Sequence, residues 1–411
     1  MKKHRLSFSR FLLLLTCLTL GCAGCASGSA STDPEAEKKA SEAEARLAAS
    51  ERKLADLEAK LAALEQKNAA SETDKTSEAA SLGYVVVTDY LANDGKVDVA
   101  DAIQKVIDDN PNRTIYFPDG VYLLSKPICT PADPSKSVDL KLSNYAILRA
   151  SPFWKHEEAM VRLGGKDAFN DISTPGSNYS LTGGIIDGSK VAKGVSIDSG
   201  RETRVENLSI KNTTIGLHIA KGANNNSSDA DILNVNICGA GGNDSIGVLI
   251  EGFDNTLTNM RIANVHIGVK LCSPANSLRN IHPLYIMGSS DYESSIGFYD
   301  ISGDCNWYDF CYSDQFACGF YLGGSMNAYL SNCFCFWYSD QGGTQVAMRT
   351  GGKFNSLVSC IRVGGLSPNC KTAILEVGEP GGQGTIDAVH TNEGLVTGGD
   401  HRTYLTGKVL D

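Results

Sequence analysis

Gly194-Val195-Ser196-Ile197, Gly216-Leu217-His218-Ile219, Gly247-Val248-Leu249-Ile250, Gly268-Val269-Lys270-Leu271 and Gly319-Phe320-Tyr321-Leu322 are one phrase, glycine-apolar-x-apolar, returning through the middle of the chain. Between its occurrences runs a second phrase centred on asparagine: Val205, Asn207, Leu208 and Ile210, then Leu233, Asn234, Val235 and Ile237, then Leu257, Asn259, Met260 and Ile262, then Leu278, Asn280 and Ile281. The intervals between Asn207, Asn234, Asn259 and Asn280 fall in the range of solenoid repeats, and Asn332 continues the series. Each phrase is long enough only for a short strand whose alternate side chains point inward. One such unit cannot bury its apolar face, whereas coils stacked on one another can. Glycines this frequent leave no room for helices, so a helical solenoid is excluded. The pattern predicts a parallel β-helix, with inward asparagines bonded from coil to coil at the turns.

Outward from this region, the composition agrees. The 411 residues include 42 Gly and only 12 Pro, which suits many tight turns, and the repeat implies one elongated body with appendages. A formal net charge of -10 argues against nucleic acid as a partner and leaves carbohydrate open. Thirteen Cys suggest disulfides at first sight, but Cys17, Cys22 and Cys25 belong to the leader. Cys311, Cys333 and Cys360 occupy similar places in successive repeats, which predicts buried free thiols, with disulfides an alternative in an oxidising compartment. No Cys or Cys/His set has zinc spacing, so neither metal nor cofactor is expected.

The N-terminus reads as an address. Lys2, Lys3, His4, Arg5 and Arg10 precede the apolar run Phe11–Leu20, and Gly21-Cys22 follows it. This resembles a bacterial lipoprotein signal over residues 1–22, with lipidation at Cys22, or at Cys25 as a second candidate; ordinary cleavage near Ala26 is the alternative. The protein is accordingly expected to be exported and held to the membrane at the bacterial cell surface or envelope. Over residues 34–70, Leu47, Leu54 and Leu61 stand seven apart, with Leu57 and Leu64 in the other seam position, so a coiled-coil stalk is expected, against a lone solvated helix. Residues 71–82 form a linker, and the β-helix domain spans 83–411. At its start, Ala100 to Asp109 has Ala102, Ile103, Val106 and Ile107 on one helical face, placed to cap the open end of the solenoid.

The segments Asp89-Tyr90-Leu91-Ala92-Asn93-Asp94-Gly95, Ala102-Ile103-Gln104 and Ile115-Tyr116-Phe117-Pro118-Asp119-Gly120-Val121-Tyr122 are similar to the opening motif of the pectate-lyase-like superfamily, which includes polygalacturonase-related proteins and many phage tailspikes. The resemblance implies an all-β fold: a single-stranded right-handed parallel β-helix with an N-terminal capping helix. Several members are trimers that cut or bind polysaccharides, so it also implies a homo-oligomer, a trimer in particular, with a polysaccharide partner. It does not supply a catalytic site. The polygalacturonase signatures Asn-Thr-Asp, Asp-Asp, Gly-His-Gly and Arg-x-Lys do not occur in the repeats, and Arg149-Ala150-Ser151-Pro152 matches the lyase signature only in its letters.

The residues themselves offer another candidate. Tyr312-Ser313-Asp314-Gln315 and Tyr338-Ser339-Asp340-Gln341 are identical and one repeat apart. With the coils in register, Asp314 and Asp340 would stack about 5 Å apart, the separation of a retaining glycosidase's nucleophile and acid, and Asp291 could extend the stack. Tyr312, Trp337 and Tyr338, with Gln315 and Gln341, would form the substrate subsites. The structural alternative is that Ser-Asp at a turn satisfies its own backbone. His218, His266 and His282 read as packed or surface side chains, while Lys211, Lys270, Arg279 and Arg349 could meet uronate carboxylates. The expected function is cleavage of an extended polysaccharide, as glycosidase or lyase; the alternative is a non-catalytic binding or adhesion module.

Overall fold

The computed structural model describes residues 38, 41–42, 45–63, 83–166, 179–221, 229–323, 328–338, 345–366, 372–392 and 396–410. Cys22, Asp340, Gln341 and the linker 71–82 therefore lie outside the described residues. Two compact units divide the chain, Met1–Asp74 and Lys75–Asp411. In the first, residues 45–63 are one α-helix whose side chains are exposed throughout.

The second unit is a parallel β-helix of three walls. The first wall is an 11-stranded sheet that begins at Ile128–Pro131 and ends at Val396–Gly398. Walls two and three merge into a 22-stranded sheet, because the strands on either side of the asparagine turn, such as the halves of Thr256–Ala263, run on from one another. One coil is Lys193–Ile197 on the first wall, Arg204–Glu206 on the second and Ser209–Thr213 on the third. The chain then returns to the first wall at Ile215–Ile219. Each wall pairs in parallel with the same wall of the next coil, so distant residues become vertical neighbours. Val195, Leu217, Val248, Val269, Phe298, Phe320, Met348 and Leu375 form one inward column on the first wall. Within it the Phe298 and Phe320 rings lie parallel, 4.6 Å apart.

The glycine of the first phrase is set by packing. A Cβ at Gly216 would come within 2.7 Å of Ile237 Cγ2 on the third wall and 2.6 Å of the Gly247 carbonyl. The glycine column thus lets the first and third walls approach where they meet. The asparagine is set by the backbone: Asn207, Asn234, Asn259, Asn280 and Asn332 turn the corner at φ of 53–56°, a left-handed conformation that asparagine tolerates better than most residues. Their amides bond from coil to coil, Asn234 donating to Asn207 at 3.1 Å, Asn259 to Asn234 at 3.3 Å and Asn280 to Asn259 at 2.9 Å. This ladder faces solvent rather than the core as expected, because a left-handed residue at this corner directs its side chain outward. The inward ladder belongs to other residues, Asn255, Asn276 and Asn306, at the turn between the first and second walls. Asn276 Oδ1 accepts from the Asn255 backbone N–H at 3.1 Å, and Asn306 Oδ1 accepts from that of Asn276 at 2.9 Å. It ends on the buried Asp300 carboxylate, which receives Asn306 Nδ2 at 3.1 Å and the Tyr308 hydroxyl at 2.7 Å.

Helix Ala100–Asp109 covers the first coil with Ala100, Ile103, Val106 and Ile107 buried. Gln104 ties it down by exchanging two hydrogen bonds with the backbone of Cys129, at 2.8 and 2.9 Å. Buried free thiols are present as expected: Cys311 and Cys333 share an inward column with Ile361, beside Cys335. Cys360 stands one position off that column and is only half-buried. Burial pushes the Cys318 and Cys333 thiols up to about 12, which leaves them inert as nucleophiles.

Candidate functional site

The tetrapeptide Tyr312-Ser313-Asp314-Gln315 lies on the third wall. Its partner one coil on is Phe334-Cys335-Phe336, with Asp314 opposite Phe336. The register positions expected for the twin tetrapeptide are thus held by residues four places earlier in sequence, Phe334 opposite Tyr312 and Phe336 opposite Asp314. The cause is a difference in turn length. The first-wall strand resumes four residues after Asp314, at Cys318, but ten residues after Phe336, at Val346. One coil earlier the partner of Asp314 is Leu284, not Asp291.

The proposed subsites divide in the same way. Trp337 is 1% exposed and donates its indole N–H to the Phe316 carbonyl at 2.8 Å, so it is core and cannot meet a ligand. Gln315 is buried in the turn at φ 67°, which also removes it from the surface. Tyr338 is exposed. Tyr312 faces outward, but His282 stacks on one side of its ring at 4.0 Å and Phe334 on the other at 4.7 Å. Arg362 closes this pile over Phe334 at 5.1 Å. With both faces covered, Tyr312 offers only its edge, so the column is a poor platform for a sugar ring. Asp314, 13% exposed, has Oδ2 at 3.4 Å from His282 Nε2, while Oδ1 is buried. Burial and the adjacent Asp314 carboxylate push the Tyr312 phenol well up. Among the described residues this wall therefore brings together one carboxylate, one imidazole and one phenol; the expected second acid, Asp340, lies outside them.

The first wall has more to offer. The x position of the glycine phrase points outward, and register places Ser196, His218, Leu249, Lys270, Tyr299, Tyr321 and Arg349 in one column. Two residues further along each strand a second outward column runs Asp198, Ala220, Glu251, Cys272; the backbone ladder continues through it, with Ala220 N–H on the Ile197 carbonyl and Glu251 N–H on the Ile219 carbonyl. Asp198 and Glu251 therefore stand two coils apart in this column, with Ala220 the residue between them in register. Two inter-strand spacings are roughly 9.5 Å.

Each of these acids has a basic partner. Asp198, 15% exposed, accepts from Arg162 Nε at 2.6 Å. Although burial opposes its charge, the Asp198 carboxylate holds the Arg162 guanidinium above its ordinary range. Glu251 Oε2 lies 2.7 Å from His218 Nε2. An open cleft at this point is lined by Glu157, Glu158, Arg162, Lys193, Ser196, Asp198, His218 and Ala220. Along the same column, Lys270 sits over the Tyr299 ring at 5.6 Å, and the Tyr299 and Tyr321 rings meet edge to face at 5.0 Å. Arg349 is committed to Glu376 at 2.8 Å.

Asp198 and Glu251 did not stand out in the sequence, and His218 was read there as a packed or surface side chain. The signal was nevertheless present: Asp198 and Glu251 each follow their phrase glycine, Gly194 and Gly247, by four positions, and Ala220 follows Gly216 by four. Arg149, by contrast, is spent on a structural pair with Asp187 at 3.1 Å.

No family model matches the chain, and no curated protein matches it in sequence. Solved structures do match in fold. The tailspike protein of E. coli bacteriophage HK620 in complex with a pentasaccharide is similar over 81% of this chain and 66% of its own, at 13% identity and a TM-score of 0.56. A Geobacillus virus E2 protein, ORF18, is similar over 79% of this chain and 64% of its own, at 13% identity and a TM-score of 0.52. The chain thus spans a little under two thirds of the length of each. By fold, this chain is a parallel β-helix protein.

Proposed function

We propose that the first wall is a polysaccharide track and that the chain cleaves its glycan by hydrolysis over the column from Asp198 to Glu251, beside the cleft that Asp198 and His218 line. The observation that carries this is the column Asp198–Ala220–Glu251: two outward acids on a rigid sheet, separated by a position too small to fill the gap. Inverting glycosidases hold their two carboxyl groups about 6.5–9.5 Å apart so that a water fits between sugar and base. Asp198, held against the fixed positive charge of Arg162, is the base that takes a proton from that water. The Glu251–His218 pair holds the proton delivered to the glycosidic oxygen. Tyr299 and Tyr321, further along the track, give flanking sugars an apolar edge. The saccharide bound to the tailspike of similar fold supports the substrate class. We extend the proposal to an exported protein lipidated at Cys22 and held at the bacterial envelope, on the strength of the leader sequence.

The test is a panel of polysaccharides scored for both new reducing ends and unsaturated products. Wild type releases reducing ends with inverted anomeric configuration, and Asp198→Asn and Glu251→Gln each lower the rate at least ~100-fold while the glycan is still retained. Unsaturated ends would replace hydrolysis with elimination. Retention without release on every glycan would favour a binding module instead.

A further inference from the structure

The helix of the first unit presents an exposed apolar seam. Leu47, Leu54, Leu57 and Leu61 are 62%, 54%, 62% and 57% exposed, although their spacing puts them on one side of the helix. Ser50, whose hydroxyl bonds back to the Arg46 carbonyl at 3.0 Å, is the small residue in that seam. The charges beside the seam identify what covers it. With Leu47, Leu54 and Leu61 as the first seam position of the heptad, the flank just before them is Arg46, Lys53 and Lys60, all basic; the flank just after the second seam position is Glu51 and Glu58, both acidic.

We infer that the helix associates with identical helices of further copies of this chain, parallel and in register. In that arrangement the basic flank of one helix meets the acidic flank of its neighbour one heptad on, so Arg46 faces Glu51 and Lys53 faces Glu58 of the adjacent copy. An antiparallel pair sets basic flank against basic flank and acidic against acidic, which repels on both sides of the seam. A different protein has no reason to match a sequence whose two flanks complement each other, whereas a second copy matches by construction. The intrahelical pair between Lys60 and Asp56, at 2.8 Å with both side chains well exposed, does not compete for Arg46 or Lys53. The assembly carries several copies of the β-helix unit on one bundle, so a weak site for a repetitive glycan is multiplied by avidity.

The experiment is sedimentation of the full chain, wild type and variants, with circular dichroism monitoring the β-helix. Wild type has a mass of two or more chains, and Leu54→Asp/Leu61→Asp reduces it to one with the β signal unchanged. Arg46→Glu/Lys53→Glu and Glu51→Lys/Glu58→Lys each raise the apparent dissociation constant about tenfold or more, and mixing the two restores assembly as heteromers. A wild-type mass of one chain overturns the proposal. So does a seam variant that keeps the wild-type mass, or charge-reversed variants that associate as tightly as wild type.

Discussion

Carboxylates on the walls of this helix are used in two ways, and Asp187 and Glu251 show the difference. Asp187 is closed off. Burial would raise its pKa, but hydrogen bonds from Asn212 and the Ser189 N–H, with the Arg149 guanidinium, hold it below the usual carboxylate range. A folded-state pKa below the unfolded value stabilises the protein above the unfolded value of about 3.9 and loses that contribution as pH falls through the folded one. Asp187→Asn is therefore expected to lower stability near neutral pH and to flatten its decline below about pH 4, measured as urea midpoints across pH. Glu251 instead is more open to solvent, its carboxylate set against the His218 imidazole, which lines the cleft. His218→Ala should lower hydrolysis while leaving the midpoint of unfolding within about 0.5 kcal/mol of wild type. Trp337→Ala is the opposite case, expected to cost about 3–5 kcal/mol as a large core truncation with no change in glycan retention by the folded fraction.

At the scale of the element, the two asparagine ladders make a controlled comparison. Asn276→Ala removes the acceptor for the buried Asn255 N–H and, with it, donors to the Ser273 and Pro274 carbonyls at 2.9 and 3.0 Å. Orphaned buried groups cost about 1–3 kcal/mol each. Asn259→Ala loses two exposed amide bonds and the left-handed preference, which should cost roughly 1 kcal/mol. Thermal melts of the two variants rank them directly. This is also where the sequence was legible and where it was not. Gly216 and Asn234 announced coil and corner because each answers a local demand, close approach in one case and positive φ in the other. The direction of the asparagine side chain did not follow from its letter, since the turn's dihedrals decide it. The inner ladder escaped notice because Asn255, Asn276 and Asn306 each stand just before a strand, outside the phrase that was being followed.

At the scale of the whole molecule, vertical neighbours depend on the summed length of every turn between them. Asp314 and Asp340 share a tetrapeptide, yet the register partner of Asp314 is Phe336, and more residues separate Phe336 from the next first-wall strand than separate Asp314 from its own. Counting from the phrase glycine avoids that error, because the count never crosses a variable turn; this is why Asp198 and Glu251 align. The same logic explains how the core was readable while the site was not. Inward columns tolerate any apolar residue at the right period, whereas a site needs two particular outward residues in one column. Phe320→Ala, in the centre of the first-wall column, is expected to destabilise by about 3–5 kcal/mol and to sharpen proteolysis at the coils around it.

Because Asn259 hands its amide to Asn234 and receives one from Asn280, each corner knows only the corners above and below it. The number of rungs is then a free quantity. Excising one full turn, from a position on one storey to its equivalent on the next, leaves the remaining storeys with the same neighbours they had before. Such a chain can be shortened or lengthened in whole storeys, moving its grip on a ligand along the shaft by about 4.8 Å at a time, without redesigning any other part.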